Sequence, residues 1–262
     1  MQLYNEDALQ RLKLIEDESV DLILSDVPYK VTSRGCSGTM GGYWKEDKAK
    51  SGKIFDNNTI HCSQYMTDLY RVLKPKSHCY IMCNNINLIE MLNEGVKVGF
   101  NFVKSLIWKK NNKICGRYYM NCFEYILLFR KGGDRPINNC GTPDILDVPI
   151  HKLKDENGKN LHDTEKPVEL AKIIIENASN AGDTILDPFM GIGFVGVACK
   201  ELNRNFLGIE IDKKYFNIAK ERIKFGEHYS SVVKKEPKQK EKIVKVEESS
   251  ISKFYKGNLL NE

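Results

Sequence analysis

The stretch Asp187-Pro-Phe-Met-Gly-Ile-Gly193 is the strongest structural signal in this chain. A short β-rich run, Thr184–Leu186, precedes it, and apolar residues with helical spacing follow it as far as Leu202. A second β-rich run, Asn205–Glu210, ends in an acid. Strand, glycine turn, helix and strand in this order predict a βαβ unit that binds a nucleotide at the N-terminus of its helix.

The same stretch also fits a dinucleotide-binding fingerprint. Gly191, Gly193 and Gly196 follow the GxGxxG pattern, and the acid Glu210 lies about 20 residues beyond the first of them. Taken alone, this pattern leaves a nicotinamide-dependent oxidoreductase open. Asp187, however, places a carboxylate at the end of the strand, where it would repel a pyrophosphate and attract a cationic ligand.

Composition is that of a globular protein. The 262 residues suffice for one α/β domain with a small insertion or tail, and 41% hydrophobic with 29% charged residues is typical of soluble proteins. No apolar run approaches the ~18 residues of a membrane span and no secretory signal is visible, so we expect a cytoplasmic protein without a membrane partner. The net charge of +5 mildly favours a polyanionic partner.

The eight cysteines do not form a metal-binding pattern. No Cys-x-x-Cys pair occurs, and Cys79 and Cys83, near His78, fall along an apolar run that is typical of a buried strand. We therefore expect reduced structural thiols, as in a cytosol, and no metal site.

Strand and helix patterns alternate along most of the chain. They predict an α/β fold with a doubly wound, mostly parallel sheet of seven strands. Asn101–Trp108 and Phe123–Phe129 are predicted to pair as an antiparallel hairpin at one edge. We expect one domain over residues 1–230, with a mobile loop at about 30–58 and a small insertion at about 131–161. The Lys-rich tail, 231–262, is predicted to be disordered.

Three motifs resemble those of the DNA methyltransferases that modify exocyclic amino groups. Asp26-Val-Pro-Tyr29 resembles their Asp-Pro-Pro-Tyr motif, residues 187–193 resemble their S-adenosylmethionine (SAM) motif, and Thr164–Leu170 resembles the segment that precedes it. Residues 71–75, 107–110 and 124–131 are similar to further blocks of the family. The catalytic motif comes first and the cofactor motif last, which is the order of the β-group. The resemblance extends from residue 3 to residue 225.

The resemblance implies a Rossmann-like methyltransferase fold and SAM-dependent methyl transfer to a base in double-stranded DNA. The base has to be flipped out of the duplex, because pairing otherwise buries its amino group. Asp26 and the backbone carbonyl of Val27 would accept hydrogen bonds from that amino group and so free its lone pair. Tyr29 would stack on the base, and Pro28 belongs to the same catalytic motif. Adenine N6 is the favoured target because Asp26, rather than a serine, heads the motif; a cytosine-N4 enzyme is the alternative.

The family also implies a cofactor pocket. Asp187 would lie beside the cationic methionyl end of SAM, and Glu210 would bind the ribose hydroxyls. Asp7 would meet the adenine amino group, although a helix N-cap explains this residue almost as well. The residues so assigned are Asp7, Thr164, Lys166, Asp187, Pro188, Phe189, Gly191, Gly193 and Glu210.

Contacts to the base and to DNA are predicted from the same resemblance. Phe123 would face the base pocket, unless it simply packs in the core. The basic turn that contains Lys109, Lys110, Lys113 and Arg117 would contact phosphates, which position DNA without specifying its sequence. A charged run of this kind is also typical of a solvated face. Residues 131–161 stand where the β-group has its target-recognition region.

One position departs from the family pattern. Val27 stands where the family motif usually has a proline, so the loop loses the fixed φ of that residue. This departure leaves open a catalytically silent DNA-binding subunit with the same fold. A homodimer and a restriction endonuclease partner also stay open at the level of the sequence.

Overall fold

The computed structural model describes residues 1–28, 60–114, 119–155, 157–162, 164–226 and 229, with only the backbone of residue 114. Tyr29, Arg117, the predicted loop and the predicted tail therefore lie outside the described residues. Within them, helices cover both faces of one eight-stranded sheet. This part of the chain contains no helix that is both long and apolar enough to cross a membrane.

The strands and helices alternate along most of the described chain. The strands are β1 (Gln2–Tyr4), β2 (Val20–Ser25), β3 (Leu73–Cys83), β4 (Phe100–Ile114), β5 (Asn121–Lys131), β6 (Ile145–Asp147), β7 (Thr184–Asp187) and β8 (Asn205–Ile209). The helices are α1 (Ala8–Leu12), α2 (Met66–Val72), α3 (Leu88–Lys97), α4 (Val168–Ala178), α5 (Phe194–Glu201) and α6 (Lys213–Phe225), with a 3₁₀ turn at Cys62–Gln64.

The sheet has the order β1-β8-β7-β2-β3-β5-β4-β6, in which only β5 runs against the other strands. The α/β class, the mostly parallel sheet and the antiparallel β4–β5 pair are confirmed. Two details are corrected: the sheet has eight strands rather than seven, and β6 covers the outer side of β4, so the hairpin is not at the edge. β6 has only three residues, too few to show an alternating pattern. The segment that follows β6 is held by the indole N–H of Trp108, which donates a hydrogen bond to the carbonyl of Val148 (2.8 Å).

Two hydrophobic clusters flank the sheet. Leu22 and Leu24 of β2 face the cluster beneath α4, α5 and α6, whereas Ile23 faces the cluster beneath α1, α2 and α3. Because both faces of β2 are buried, its sequence is a nearly continuous apolar run. The functional groups at its end are therefore held by a strand that is packed on both sides.

The strand order reverses between β7 and β2. From β7 the chain passes through α5 to β8 on one side, and from β2 it continues to β3 on the other. The parallel register pairs Leu22 with Ile185 and Ile23 with Leu186, so the carboxyl ends of both strands open into the same crevice. Ligands of doubly wound sheets bind in such a crevice.

Candidate active site

The end of β7 holds a buried carboxylate with one unpartnered oxygen. Asp187 Oδ1 accepts hydrogen bonds from Ser25 Oγ (2.7 Å) and from the backbone N–H of Phe189 (3.1 Å). Among the described residues, its Oδ2 has no hydrogen-bond partner. Burial raises the pKa of Asp187 to about 7, and the nearby acids Asp26 and Glu210 add to this rise. A cationic ligand would supply the missing partner and stabilise the ionised form.

The glycine turn after β7 needs its glycines for two different reasons. Gly191 and Gly193 have φ values of +53° and +80°, in the left-handed region that favours glycine. A Cβ on Gly193 would also lie 3.1 Å from the Cβ of Ala219, so this position lets α5 pack on α6. A Cβ on Gly191 would approach only His162 Nε2, at 3.9 Å, among the described atoms. The open approach to the turn is therefore at Gly191.

Glu210, directly after β8, contacts this turn. Its Oε2 accepts a hydrogen bond from the backbone N–H of Gly191 (2.9 Å), and its Oε1 accepts one from that of Asp212 (2.8 Å). Burial raises the pKa of Glu210 to about 7. A carboxylate offers about four acceptor sites, so two remain for hydroxyl groups of a ligand. The structure thus brings the predicted ribose-binding acid and the predicted glycine turn together.

Asp7 lies at the same edge of the sheet, just after β1. Its carboxylate accepts a hydrogen bond from the N–H of Leu9 (2.7 Å) and caps α1. The alternative explanation by a helix cap is therefore present in the structure, and contact with a cofactor stays a prediction. Pro188 is buried, and the half-buried Phe189 packs edge-on against Tyr65 with ring centroids 5.3 Å apart.

Asp26 follows β2 directly and faces the crevice. Its Oδ2 lies 2.5 Å from Lys166 Nζ, whereas its Oδ1 is buried and has no hydrogen-bond partner among the described residues. Burial raises the pKa of Asp26 above its ordinary value; Lys166 opposes this rise and Glu124 adds to it. Val27 packs its side chain into the cluster beneath α1–α3, and Pro28 is half-buried. A free acceptor oxygen at this point fits an incoming N–H donor.

Lys166 contacts the predicted catalytic residue. Its Nζ lies 2.5 Å from Asp26 Oδ2, 3.3 Å from the carbonyl of Thr164 and 3.5 Å from Glu124 Oε2. The ammonium group thus contacts three oxygens of the protein, of which the Glu124 contact is an ion pair rather than a hydrogen bond. The charged end of Lys166 is directed to the predicted catalytic carboxylate, and its place in the cofactor pocket stays a prediction.

Lys110 and Glu124 extend the same group of charges. Lys110 Nζ lies 2.8 Å from Glu124 Oε1, and the Lys110 side chain is only 5% exposed. Lys110 was predicted to contact DNA, but a buried ammonium with a carboxylate partner is not placed to reach a phosphate. Glu124 was not singled out as a site residue. The available signal was an acid inside the apolar run of β5, since buried acids are almost always paired.

The neighbouring Glu165 explains how Lys166 is held. Glu165 Oε1 lies 2.8 Å from the guanidinium of Arg222 in α6, and both side chains are buried. The backbone N–H of Leu153 also donates to Glu165 (2.8 Å). Glu165 thus anchors the segment to α6, while the next residue, Lys166, reaches Asp26. The half-buried Thr164 donates its N–H to His162 Nδ1 (3.2 Å).

The remaining predicted contacts lie on β4 and β5. Phe123 is half-buried and meets Tyr125 edge-on at 5.2 Å. Lys109 and Lys113 are exposed, and Lys109 Nζ lies 2.5 Å from Asp147 of β6. An exposed ion pair of this kind is weak, and the phosphate contact of Lys109 stays a prediction.

The cysteines of β3 are buried thiols. Burial raises the pKa of Cys79 and of Cys83, the latter to about 12. His61, Cys62 and Glu90 do bring three potential metal ligands within 4.8 Å of one another in the described part of the chain. However, His61 Nε2 is hydrogen-bonded to Glu90 directly (2.6 Å), and its other ring nitrogen contacts a serine hydroxyl.

Comparison with known proteins gives one consistent result. Residues 20–221 match the N6/N4 methyltransferase family, which is described as DNA methylase. Type II methyltransferase M2.DpnII of Streptococcus pneumoniae is 31% identical over 242 residues, which cover 85% of this chain and 89% of that protein. DNA adenine methyltransferase YhdJ of Escherichia coli (strain K12) is 28% identical over 289 residues, covering 98% and 90%. The crystal structure of the M1.HpyAVI–SAM complex aligns with a TM-score of 0.62 and 26% identity, covering 84% of this chain and 98% of the other.

Proposed function

This chain belongs to the N6/N4 DNA methylase family, and from that premise we propose that it transfers a methyl group from SAM to the exocyclic amino group of a flipped base in double-stranded DNA. The main support is a pair of buried, unpartnered carboxylate oxygens at the ends of neighbouring strands, Asp26 Oδ1 and Asp187 Oδ2. One would accept the amino group of the base, and the other the ammonium group of the methyl donor. Ser25 connects them, since it precedes Asp26 and donates to Asp187.

The residues of the crevice suit this chemistry. SAM supplies a methyl group on a sulfonium, so that the carbon–sulfur bond breaks as the carbon–nitrogen bond forms. Asp26 Oδ1 and the Val27 carbonyl accept the two N–H groups of the amine, which draws the nitrogen towards tetrahedral geometry and frees its lone pair. The nitrogen then passes one proton to Asp26 Oδ1, from which it reaches water. A carboxylate facing the developing positive charge is worth a few kcal/mol (roughly 3–4) in such a site.

Adenine N6 is the proposed target. Asp26 at the head of the catalytic motif supports it, and so does the similarity to YhdJ, which is a DNA adenine methyltransferase. Cytosine N4 is the alternative outcome of the experiment below. Both bases present an amino group with two N–H donors, so the described acceptors alone do not select between them.

The proposal includes double-stranded DNA as the partner and a cytoplasmic location. Phe123 is proposed to face the flipped base, and Lys109, Lys113 and Arg117 are proposed to contact phosphates. The free thiols of the described cysteines agree with a reducing compartment. A homodimer is tested by light scattering with and without DNA, and a restriction endonuclease partner by co-purification from the native host.

The test is methyl transfer from labelled SAM to DNA, followed by digestion to nucleosides. We expect N6-methyladenine. Finding N4-methylcytosine instead would make cytosine the target base. A protein that binds SAM but labels no DNA would indicate a silent DNA-binding subunit. Asp26→Ala should abolish transfer while calorimetry shows SAM binding within about threefold of the wild type, because Asp26 acts on the base. Glu221→Ala removes an exposed acid of α6 and serves as the matched control. Tight NAD binding without SAM binding would contradict the proposal.

A further inference from the structure

Four ionisable side chains form a continuous array beneath the base side of the crevice. Lys110 pairs with Glu124 (2.8 Å), Glu124 lies 3.5 Å from Lys166, and Lys166 pairs with Asp26 (2.5 Å). These side chains, here called the buried charge array, are at most 18% exposed, and their two cations balance their two carboxylates. Lys110 and Glu124 come from β4 and β5, Asp26 follows β2, and Lys166 lies in the segment before α4, so three of the four are positioned by neighbouring parts of the sheet.

The buried charge array gives the two carboxylate oxygens of Asp26 different surroundings. Oδ2 faces the Lys166 ammonium, and Oδ1 is buried and unpartnered among the described residues. A carboxylate without a fixed partner could turn about its Cβ–Cγ bond and direct neither oxygen at the target amino group. The Lys166 ammonium opposes this rotation because it is itself held by the Thr164 carbonyl and by Glu124.

Building on the proposed function, we propose that Lys166 is a positioning residue for methyl transfer. Its ammonium holds Oδ2 of Asp26 so that Oδ1 is directed to the target amino group, and Glu124, held by Lys110, keeps Lys166 in place. Lys166 acts through Asp26 and not by binding SAM, because its ammonium donates to Asp26 and to the Thr164 carbonyl and forms an ion pair with Glu124.

The charges of the array predict the direction in which each substitution changes the pKa of Asp26. Burial alone lowers the pKa of Lys166, but Asp26 and Glu124 outweigh burial and raise it, so the residue is a cation throughout the working range of pH. Without this cation, the two carboxylates would be like charges in a poorly solvated site, and the pKa of Asp26 would rise. A protonated Asp26 is a weaker acceptor, so the acidic limb of the pH–rate profile should move to higher pH. Removing the Glu124 charge instead should lower the pKa of Asp26 and move that limb to lower pH.

The experiment compares Lys166→Met, Lys166→Arg and Glu124→Gln in the full chain. We expect Lys166→Met to lower the single-turnover rate at saturating SAM and DNA by roughly 10²–10³-fold, with the SAM dissociation constant changed by less than about threefold. The acidic limb of the pH–rate profile should lie about one pH unit or more higher in Lys166→Met than in the wild type. In Glu124→Gln it should lie at lower pH. Lys166→Arg keeps the charge and should recover part of the rate.

Lys172→Met is the matched control. Lys172 pairs with Glu201 at 2.6 Å and is 20% exposed, so its loss removes a comparable ion pair away from Asp26. It should reduce the melting temperature without moving the acidic limb. If Lys166→Met does not fold, Glu124→Gln carries the test through its opposite shift.

A second readout does not need activity. The Asp26 carboxyl can be titrated by carbon-13 NMR and assigned with Asp26→Asn, and its apparent pKa should rise in Lys166→Met and fall in Glu124→Gln. Unchanged titrations in both variants would overturn the inference, as would an unchanged rate with SAM affinity reduced a hundredfold. If the two variants show these titration shifts but the wild-type protein methylates no DNA, the proposed function is refuted while the role of Lys166 in orienting Asp26 stands.

Discussion

Asp187→Asn is expected to stabilise the ligand-free protein at alkaline pH while abolishing SAM binding. Burial raises the pKa of Asp187 from its ordinary 3.8 to about 7 in the folded protein. A raised carboxyl pKa means that folding disfavours the ionised form. The resulting penalty is absent below the unfolded pKa, grows as the pH rises, and is complete above the folded pKa. Asparagine carries no charge, so it removes this penalty together with the site for the ammonium group.

The magnitude follows from the size of the shift. A rise of about 3 pKa units corresponds to about 4 kcal/mol at pH 8, of which about 1.5 kcal/mol is already present at pH 5. The asparagine NH₂ would replace the unpartnered Oδ2 and would itself be buried, at a cost of about 1–3 kcal/mol that does not depend on pH. The stability of the variant relative to the wild type should therefore increase by about 2.5 kcal/mol between pH 5 and pH 8, whatever the cost of the amide.

Urea unfolding of both proteins at several pH values between 5 and 8, without SAM, measures this difference. Asp144→Asn is the control, because the exposed Asp144 has its pKa lowered by a hydrogen bond from Lys104 and so finishes titrating below pH 5. A stability difference between Asp187→Asn and wild type that stays flat over this range would refute the assignment of Asp187 as a buried, unpaired acid. Calorimetry that shows undiminished SAM binding by the variant would refute its role at the methionyl end.

Three further predictions concern the framework of the crevice. Arg222→Leu leaves the buried Glu165 without its cation and should lower the free energy of unfolding by about 3–5 kcal/mol, measured in urea, with part of the loss recovered by adding Glu165→Gln. Gly196→Ala would place a Cβ too close to Ile223 and should cost about 1–3 kcal/mol; an unchanged melting temperature would contradict this contact. Because the pKa of Glu210 is raised to about 7, its protonation should weaken SAM binding as the pH falls from 8 to 6, by up to about tenfold. Calorimetry should find Glu210→Gln weaker at pH 8 and less dependent on pH, and equal pH dependence in both proteins would contradict this role.

The sequence was most informative where a local pattern spans a complete strand–turn–helix–strand unit. The run before Asp187, the glycines and Glu210 predicted a βαβ unit, and the structure contains it with the acid bonded to the turn. The family resemblance also implies that the strands before Asp26 and Asp187 lie side by side, and their parallel register confirms this. Only the βαβ unit depends on backbone geometry that glycines and apolar runs express directly; the adjacency of the two strands required the resemblance.

The sequence was least informative about charged partners far apart in the chain. Lys166 and Asp26 are 140 positions apart, and nothing near either residue indicates that the two meet. Lys110 stands in a basic run that is typical of a DNA-binding surface, yet the pleat of β4 turns it inward to Glu124. Such pairings depend on the tertiary fold, which brings both groups out of water at once.

The pairing of β1 with β8 has a consequence for how the protein is made. The Asn5 amide donates to the carbonyls of Glu210 (2.8 Å) and Ile211 (3.1 Å), contacts that span 205 and 206 positions of the chain. A ribosome adds about 5–20 residues per second, so Glu210 is synthesised on the order of 10–40 seconds after Asn5. During translation, the strand that is synthesised first therefore waits for a partner that is synthesised much later. Glu210, the predicted ribose-binding acid, joins the sheet edge only with that late pairing, so a nascent chain already contains Asp26 well before the predicted methyl-donor site is complete.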